Sequence, residues 1–363
     1  LVVIIMGITA LINKYTPTKK TEDLKEYFNI SSDDEAALIV DNELSDYKAK
    51  IIDKKIYVDY KFVHDSLNSR FYWDANENVL LYTTASDIIS AAADSNSYSV
   101  TKQTNDFGYP IVKATSDSAL IALDYVKQYS NITFKSYDDP ARIVITSKWD
   151  EIDSATVSKS TQVRVKGGIK SPILKEVKKD DKITILDSGN KWDKVATEDG
   201  VIGYIKSKAL SESKKTKLTN PDYEEETFTH IKKDKDICLA WNQVTSKSAN
   251  SKVPQVISST KGINVMSPTW FYLNDNNGNL ADIASKDYVS YCHSQGIEVW
   301  GLFSNFENTD VDAAYVLTHT STRTTLINQI MSAAFNYELD GVNIDFENIT
   351  EAAYGDSYIE FIR

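Results

Sequence analysis

The stretch D-G-V-N-I-D-F-E, residues 340–347, threads three acidic side chains through a run of Val, Ile and Phe that otherwise reads as a strand. Side chains alternate between the two faces of a strand, so Asn343, Asp345 and Glu347 share one face while Val342, Ile344 and Phe346 share the other. Asp340 has the opposite parity and precedes the strand, which suits it to hold the turn or support the polar row. Two neighbouring acids are costly to bury unless they are well hydrogen-bonded, and a chain carries that cost most readily at a working site.

Upstream of this stretch, apolar runs alternate with helical ones. C-L-A-W-N-Q-V, G-I-N-V-M-S-P-T-W-F and I-E-V-W-G-L-F-S-N read as strands. A helical stretch at 285–295 leads through Gly296 into the last of them. Another, T-R-T-T-L-I-N-Q-I-M-S-A-A-F-N-Y-E-L, carries Leu326, Ile330, Ala333 and Ala334 on one stripe. This alternation predicts parallel β/α architecture, and in a barrel of that kind the catalytic groups sit at the C-terminal ends of the strands. Residues 236–363 hold four such strands, about half of the roughly 250 residues of a complete eight-fold barrel. The expected fold is therefore the first half of a (β/α)8 TIM barrel, truncated, behind an α+β N-terminal domain and a small all-β barrel.

The acidic strand resembles the D-G-x-D-x-D-x-E signature of glycoside hydrolase family 18, with Asp340, Gly341, Asp345 and Glu347 in the matching positions. Through C-L-A-W-N-Q-V, G-I-N-V-M-S-P-T-W-F and V-W-G-L-F-S-N the likeness extends to the bacterial cell-wall and spore-cortex N-acetylglucosaminidase branch of that family. The resemblance implies that Glu347 is the general acid and later the general base. It makes Asp345 the residue that orients the 2-acetamido group of the substrate, whose carbonyl oxygen attacks the anomeric carbon with net retention. Two departures stand out: the middle Asp of the signature is Asn343, and the S-x-G-G of chitinases on the third strand is replaced by L-F-S-N. Trp241 and Trp270, with Trp300 beside them, are candidates to stack on sugar rings, and Asn305 is a polar candidate at a strand end. The alternative reading is a non-catalytic, wall-binding or adhesion protein with a silent barrel; the acid retained at Glu347 favours catalysis.

Residues 156–211 resemble a bacterial SH3-like domain through V-R, K-I-T-I-L, K-W-D-K-V and D-G-V-I-G-Y-I. Ile183 and Ile185 alternate on one face, Trp192 and Val195 fill a small barrel, and Asp199-Gly200 makes a tight hairpin. The resemblance implies attachment to cell-wall polymer or its peptide stems. Residues 16–150 resemble the small α+β domain at the N-terminus of copper amine oxidases, reused as a stalk in bacterial surface proteins. Here a hairpin at W-D-A-N-E-N-V-L-L-Y is faintly repeated at Y-D-D-P-A-R-I-V-I-T. No copper chemistry is implied, since His64 is the region's one histidine. Residues 212–235 are charged, interrupted by Pro221, and read as a linker.

The uncharged run L-V-V-I-I-M-G-I-T-A-L-I falls short of the roughly 20 residues of a spanning helix, so residues 1–15 are expected to be part of a membrane anchor or signal segment. That would place the remainder outside the cytoplasm, membrane-anchored or wall-associated. A net charge of −12 argues against nucleic acid or an anionic surface as partner. Cys238 and Cys292 read as free thiols, and scattered histidines give no metal spacing. The expected chemistry calls for no metal and no cofactor, only an N-acetylated polysaccharide such as peptidoglycan or chitin.

Overall fold

The computed structural model describes residues 14–363. It is a multidomain, sheet-rich α+β protein whose chain divides into two compact units, one formed by the residues up to Ser69 with Tyr109–Glu225, the other by Arg70–Gly108 with Glu226–Arg363. The expected anchor, residues 1–15, lies almost wholly outside the described residues. Among those described, no helix is long and apolar enough to cross a membrane.

The first unit holds two seven-stranded sheets. One is built from β1 (Glu35–Val40), β2 (Glu43–Ile52), β3 (Lys55–Asp59), β9 (Val112–Ala114), β10 (Ala119–Ala122), β11 (Thr133–Tyr137) and β12 (Arg142–Thr146), in the order β11-β12-β1-β2-β3-β10-β9. The other runs β15-β14-β18-β17-β16-β13-β19 and is antiparallel throughout. Its strands are β13 (Glu151–Thr156), β14 (Thr161–Arg164), β15 (Ile173–Val177), β16 (Lys182–Asp187), β17 (Trp192–Thr197), β18 (Ile202–Lys206) and β19 (Lys214–Lys217).

The alternation of apolar positions along these strands buries Val163, Ile183, Val195 and Ile205 in one cluster with Phe28 and Ile39. Trp192 stays half-exposed, so Val195 is core and the indole is not. Gly200 closes the β17–β18 hairpin at φ +81°, and a Cβ there would come within 2.8 Å of the Val144 side chain, so both conformation and space demand glycine. Burial works against the neighbouring Asp199 carboxylate, but Lys175, Thr197 and Arg142 together hold it below the usual range. Four residues of the segment read as a linker form edge strand β19 on β13.

The second unit contains an antiparallel meander, β4 (Phe71–Asp74), β5 (Val79–Thr83), β6 (Ile88–Ala92), β7 (Ser97–Val100) and β8 (Gln103–Asp106). The division of the chain therefore cuts across the continuous 16–150 module expected from the sequence. The W-D-A-N-E-N hairpin and its faint copy both form, but the first lies in this meander and the second, between β11 and β12, in the other unit.

Beside the meander stands a parallel sheet of β20 (Leu239–Asn242), β21 (Val265–Leu273), β23 (Glu298–Ser304) and β24 (Gly341–Asp345), in that order, with β22 (Leu280–Asp282) antiparallel on β21. Its helices are α1 (Val253–Ser258), α2 (Lys286–Ser294), α3 (Ala313–Thr318), α4 (Thr320–Tyr337) and α5 (Glu351–Ile362). Buried Arg323, Leu326, Ile330 and Ala333 recur at helical spacing along α4, which stops where Glu338 turns left-handed. The hairpin acids cap its start: Asp74 accepts from the Thr320 backbone N–H at 2.6 Å, and Glu77 from that of Ser321 at 2.9 Å. These bonds satisfy donors that the first turn of a helix leaves free and place negative charge at the positive end of its dipole.

Candidate active site

The parallel sheet has two unlike faces. Val299 and Phe303 on β23, with Met266, Trp270 and Phe271 on β21, join Tyr288 and Cys292 of α2 and Leu326 and Ile330 of α4 in one aromatic-rich core. The other face carries the row opened by Trp300, Leu302 and Ser304, which pair in register with Gly341, Asn343 and Asp345. Asn343 donates from Nδ2 to Ser267 Oγ on β21, 3.1 Å away, reaching over β23. Neighbouring strands lie about 4.8 Å apart, so side chains two strands apart meet only if the sheet is concave on their face. The polar row therefore lines the inside of a curve.

Asp345 ends β24 and is half-buried; Glu347 lies two residues on, beyond the strand, and is exposed. Among the described residues neither carboxyl is hydrogen-bonded to another side chain, and the Asn343 amide, given to Ser267, does not bond Asp345. The Glu347 backbone is held instead by Asn305, just past the end of β23. The Asn305 amide donates from Nδ2 to Glu347 O at 3.0 Å and accepts from Glu347 N–H at 2.8 Å. Phe346 packs on the helix side, its ring stacked on Phe361 at 5.5 Å. Burial raises the Tyr358 hydroxyl above its ordinary pKa, and the nearby charge of Asp345 adds to the rise.

Asp340 sits at the opposite end of the strand. Its Oδ2 accepts from Val299 N–H and faces the His293 ring nitrogen Nε2, each at 2.8 Å, so it fastens the start of β24 and lies away from the acids. Gly341 follows because the Trp300 ring crosses its backbone: an added Cβ would meet ring carbons at 2.9 Å. Trp300 thus serves at the start of the strands.

Trp270 corrects an expectation. Its side chain is fully buried, its indole N–H donates to Asn250 Oδ1 at 2.7 Å, and its ring packs against Tyr288. It faces the helices and no ligand above the strand ends can reach it. Trp241 is 71% exposed, opposite Ser267 in register, and remains available as a stacking platform. Ser267 and His293, the polar partners of Asn343 and Asp340, were not identifiable from local pattern because each lies far from its partner in the chain.

No protein-family model and no curated protein sequence matches the chain. Among solved structures it is similar to the spore cortex-lytic enzyme SleL of Bacillus cereus, at 17% identity over 40% of this chain and 36% of that one, with a TM-score of 0.30. It is similar also to a chitinase of Chromobacterium violaceum, at 15% identity over 34% of this chain and 39% of that one, TM-score 0.28. A third is chitinase ChiC of Aspergillus fumigatus, at 14% identity over 34% of this chain and 47% of that one, TM-score 0.28. The chain spans between about a third and a half of the length of these structures.

Proposed function

We propose that residues 236–363 are the first half of a (β/α)8 barrel belonging to a retaining glycoside hydrolase, and that the enzyme cuts N-acetylglucosamine linkages in peptidoglycan or a chitin-like polymer. One observation carries this reading. Two carboxyls, neither hydrogen-bonded to another side chain among the described residues, stand at and just beyond the C-terminal end of β24, the edge strand of a parallel sheet, and the C-terminal strand ends are where such folds do their chemistry.

In the proposed mechanism Glu347 donates its proton to the glycosidic oxygen as the bond to the anomeric carbon breaks. The acetamido carbonyl oxygen of the substrate attacks the same carbon from the opposite face, giving a cyclic oxazoline-type intermediate. Asp345 accepts from the acetamido N–H, turning the carbonyl inward and balancing the positive charge that develops. The Glu347 carboxylate then takes a proton from water, whose oxygen opens the ring with overall retention. Trp241 offers a ring face to a neighbouring sugar. The antiparallel module at 156–211 is assigned to holding wall polymer, 16–150 to spacing it, and 1–15 to anchoring the chain outside the cytoplasm.

The test is Glu347→Gln in the natural full-length chain, with release of reducing N-acetyl sugars from purified peptidoglycan and from chitin as the readout. A loss of at least about a hundredfold is expected from removing the proton donor. Equal release by parent and variant would remove Glu347 from the mechanism. An inert parent that still sediments with the wall would turn the assignment to adhesion.

A further inference from the structure

We propose that Asn305 is a positioning residue for Glu347, its carboxamide taking the place of a missing strand partner. This deepens the reading above and rests on it. The β23–β24 ladder ends at the Ser304–Asp345 pair, one step before the segment that carries the acid. Beyond that rung no strand pairing holds residues 346–348.

The Asn305 side chain extends the ladder by one rung. Its donor and acceptor lie in one plane and bond the carbonyl and N–H of the same residue, Glu347, at 3.0 and 2.8 Å. That is the pattern by which one peptide edge pairs with another in a sheet. On the far side Asn348 turns left-handed at φ +59°, and its carbonyl accepts from the Tyr354 hydroxyl at 2.7 Å. Glu347 is thereby fixed between the last ladder pair and a tied turn, while its carboxyl bonds no side chain among the described residues.

Few side chains meet this requirement. Asp can accept from the N–H but cannot donate to the carbonyl when ionised, and Leu, of similar size, does neither. Loss of the clamp should displace the acid relative to a bound sugar, and a misplacement near 1 Å is worth up to about a hundredfold in rate. Binding, which depends on other contacts, should change little. Asn305 therefore acts through Glu347, in place of the direct substrate contact expected for a polar side chain at that strand end.

The experiment compares parent, Asn305→Leu and Asn305→Asp in the natural full-length chain. Amide hydrogen exchange at Glu347 is followed by NMR after selective 15N-glutamate labelling, with backbone exchange at Glu298 in β23 as the internal control. Steady-state hydrolysis of peptidoglycan and chitin is measured alongside. In Asn305→Leu the Glu347 N–H should exchange at least about tenfold faster with the control unchanged, and kcat should fall between about tenfold and a hundredfold with KM within about twofold. If Asn305→Leu loses the control protection as well, Asn305→Asp, which keeps one of the two bonds, decides the question by the same criteria. Unchanged Glu347 exchange overturns the clamp, and faster exchange with unchanged kcat overturns its positioning role. A parent inert on both polymers sinks the glycosidase reading alone, and the exchange measurement still decides whether the clamp exists.

Discussion

At its start β24 is fastened by a charged side chain, at its end by a neutral one. Asp340 gives its backbone N–H to Val299 O at 3.0 Å and uses its carboxylate on Val299 N–H and His293, so the charge is consumed by structure. Seven residues later Glu347 has its backbone held by the Asn305 amide, and among the described residues its carboxyl bonds no other side chain. The same class of side chain serves as a fastener in one place and as a free acid in the other. The difference lies in which group fills the backbone positions: where a carboxylate does so it has no capacity left for a ligand, and where an amide does so the acid is spared.

The largest effect should come from removing the charged fastener. Val299 is fully buried, so Asp340→Ala leaves its N–H without a partner, at a cost of about 2–3 kcal/mol in urea denaturation. The partly exposed His293 contact adds less than about 1 kcal/mol. Cys292 is a reporter for the same end: it is buried, and burial, with Asp340 adding, pushes its thiol up to about 12. In the native parent, iodoacetamide should modify exposed Cys238 and spare Cys292; in Asp340→Ala both should react. A variant of parental stability whose Cys292 stays protected would show that Asp340 fastens nothing.

A third carboxyl sharpens the contrast by being buried and already paired, with Arg363 Nη1 3.5 Å from Glu360 Oε2. Glu360 on α5 is 5% exposed and accepts from the Thr83 hydroxyl at 2.6 Å. Burial raises its pKa above the ordinary 4.5 despite that bond and the nearby arginines. An acid raised in the folded state holds its proton there after the unfolded chain has lost it. Folding is therefore favoured less as pH rises from the unfolded value through the folded one. Glu360→Gln should stabilise the protein at neutral pH by on the order of 1 kcal/mol. The gain should fade as pH falls towards 4.5, and a gain that is constant across that window would contradict the assignment.

Much of the parallel region is legible in sequence because its signals are periodic and local. Alternation separates Asn343 and Asp345 from Val342 and Ile344, the spacing of Leu326, Ile330 and Ala333 marks the buried stripe of α4, and Gly296, at φ +70°, marks the end of α2. What stays hidden depends on partners. Antiparallel hairpins look alike wherever they dock, so nothing in 70–108 announces that Asp74 and Glu77 will cap a helix more than 240 residues away. Trp270 is aromatic at a strand position, and only the register shift between Thr269 and Phe271 and the packing of Tyr288 decide that it is core. Asn305 is polar at a strand end, which suggests a ligand, whereas its amide is occupied by a backbone 42 residues away.

The smallest effect tests whether the inner row is tuned as well as placed. Asn343 gives its amide to Ser267, a neutral bond across the curve of the sheet, where the resembling signature has an aspartate. Asn343→Asp keeps the shape and reverses the bond, since the Ser267 hydroxyl can donate to the new carboxylate, so stability should move by no more than about 0.5 kcal/mol. The added negative charge stands one residue pair from Asp345 on the same face. Like charges at that separation favour protonation of the group nearest them. On the proposed mechanism the working acid would then keep its proton to higher pH, and the alkaline limb of kcat/KM should move up by a few tenths of a pH unit, more at low ionic strength than at high. A limb that does not move at either salt concentration would mean that the row is electrically separate from the proton donor, leaving position as the one property β24 confers on it.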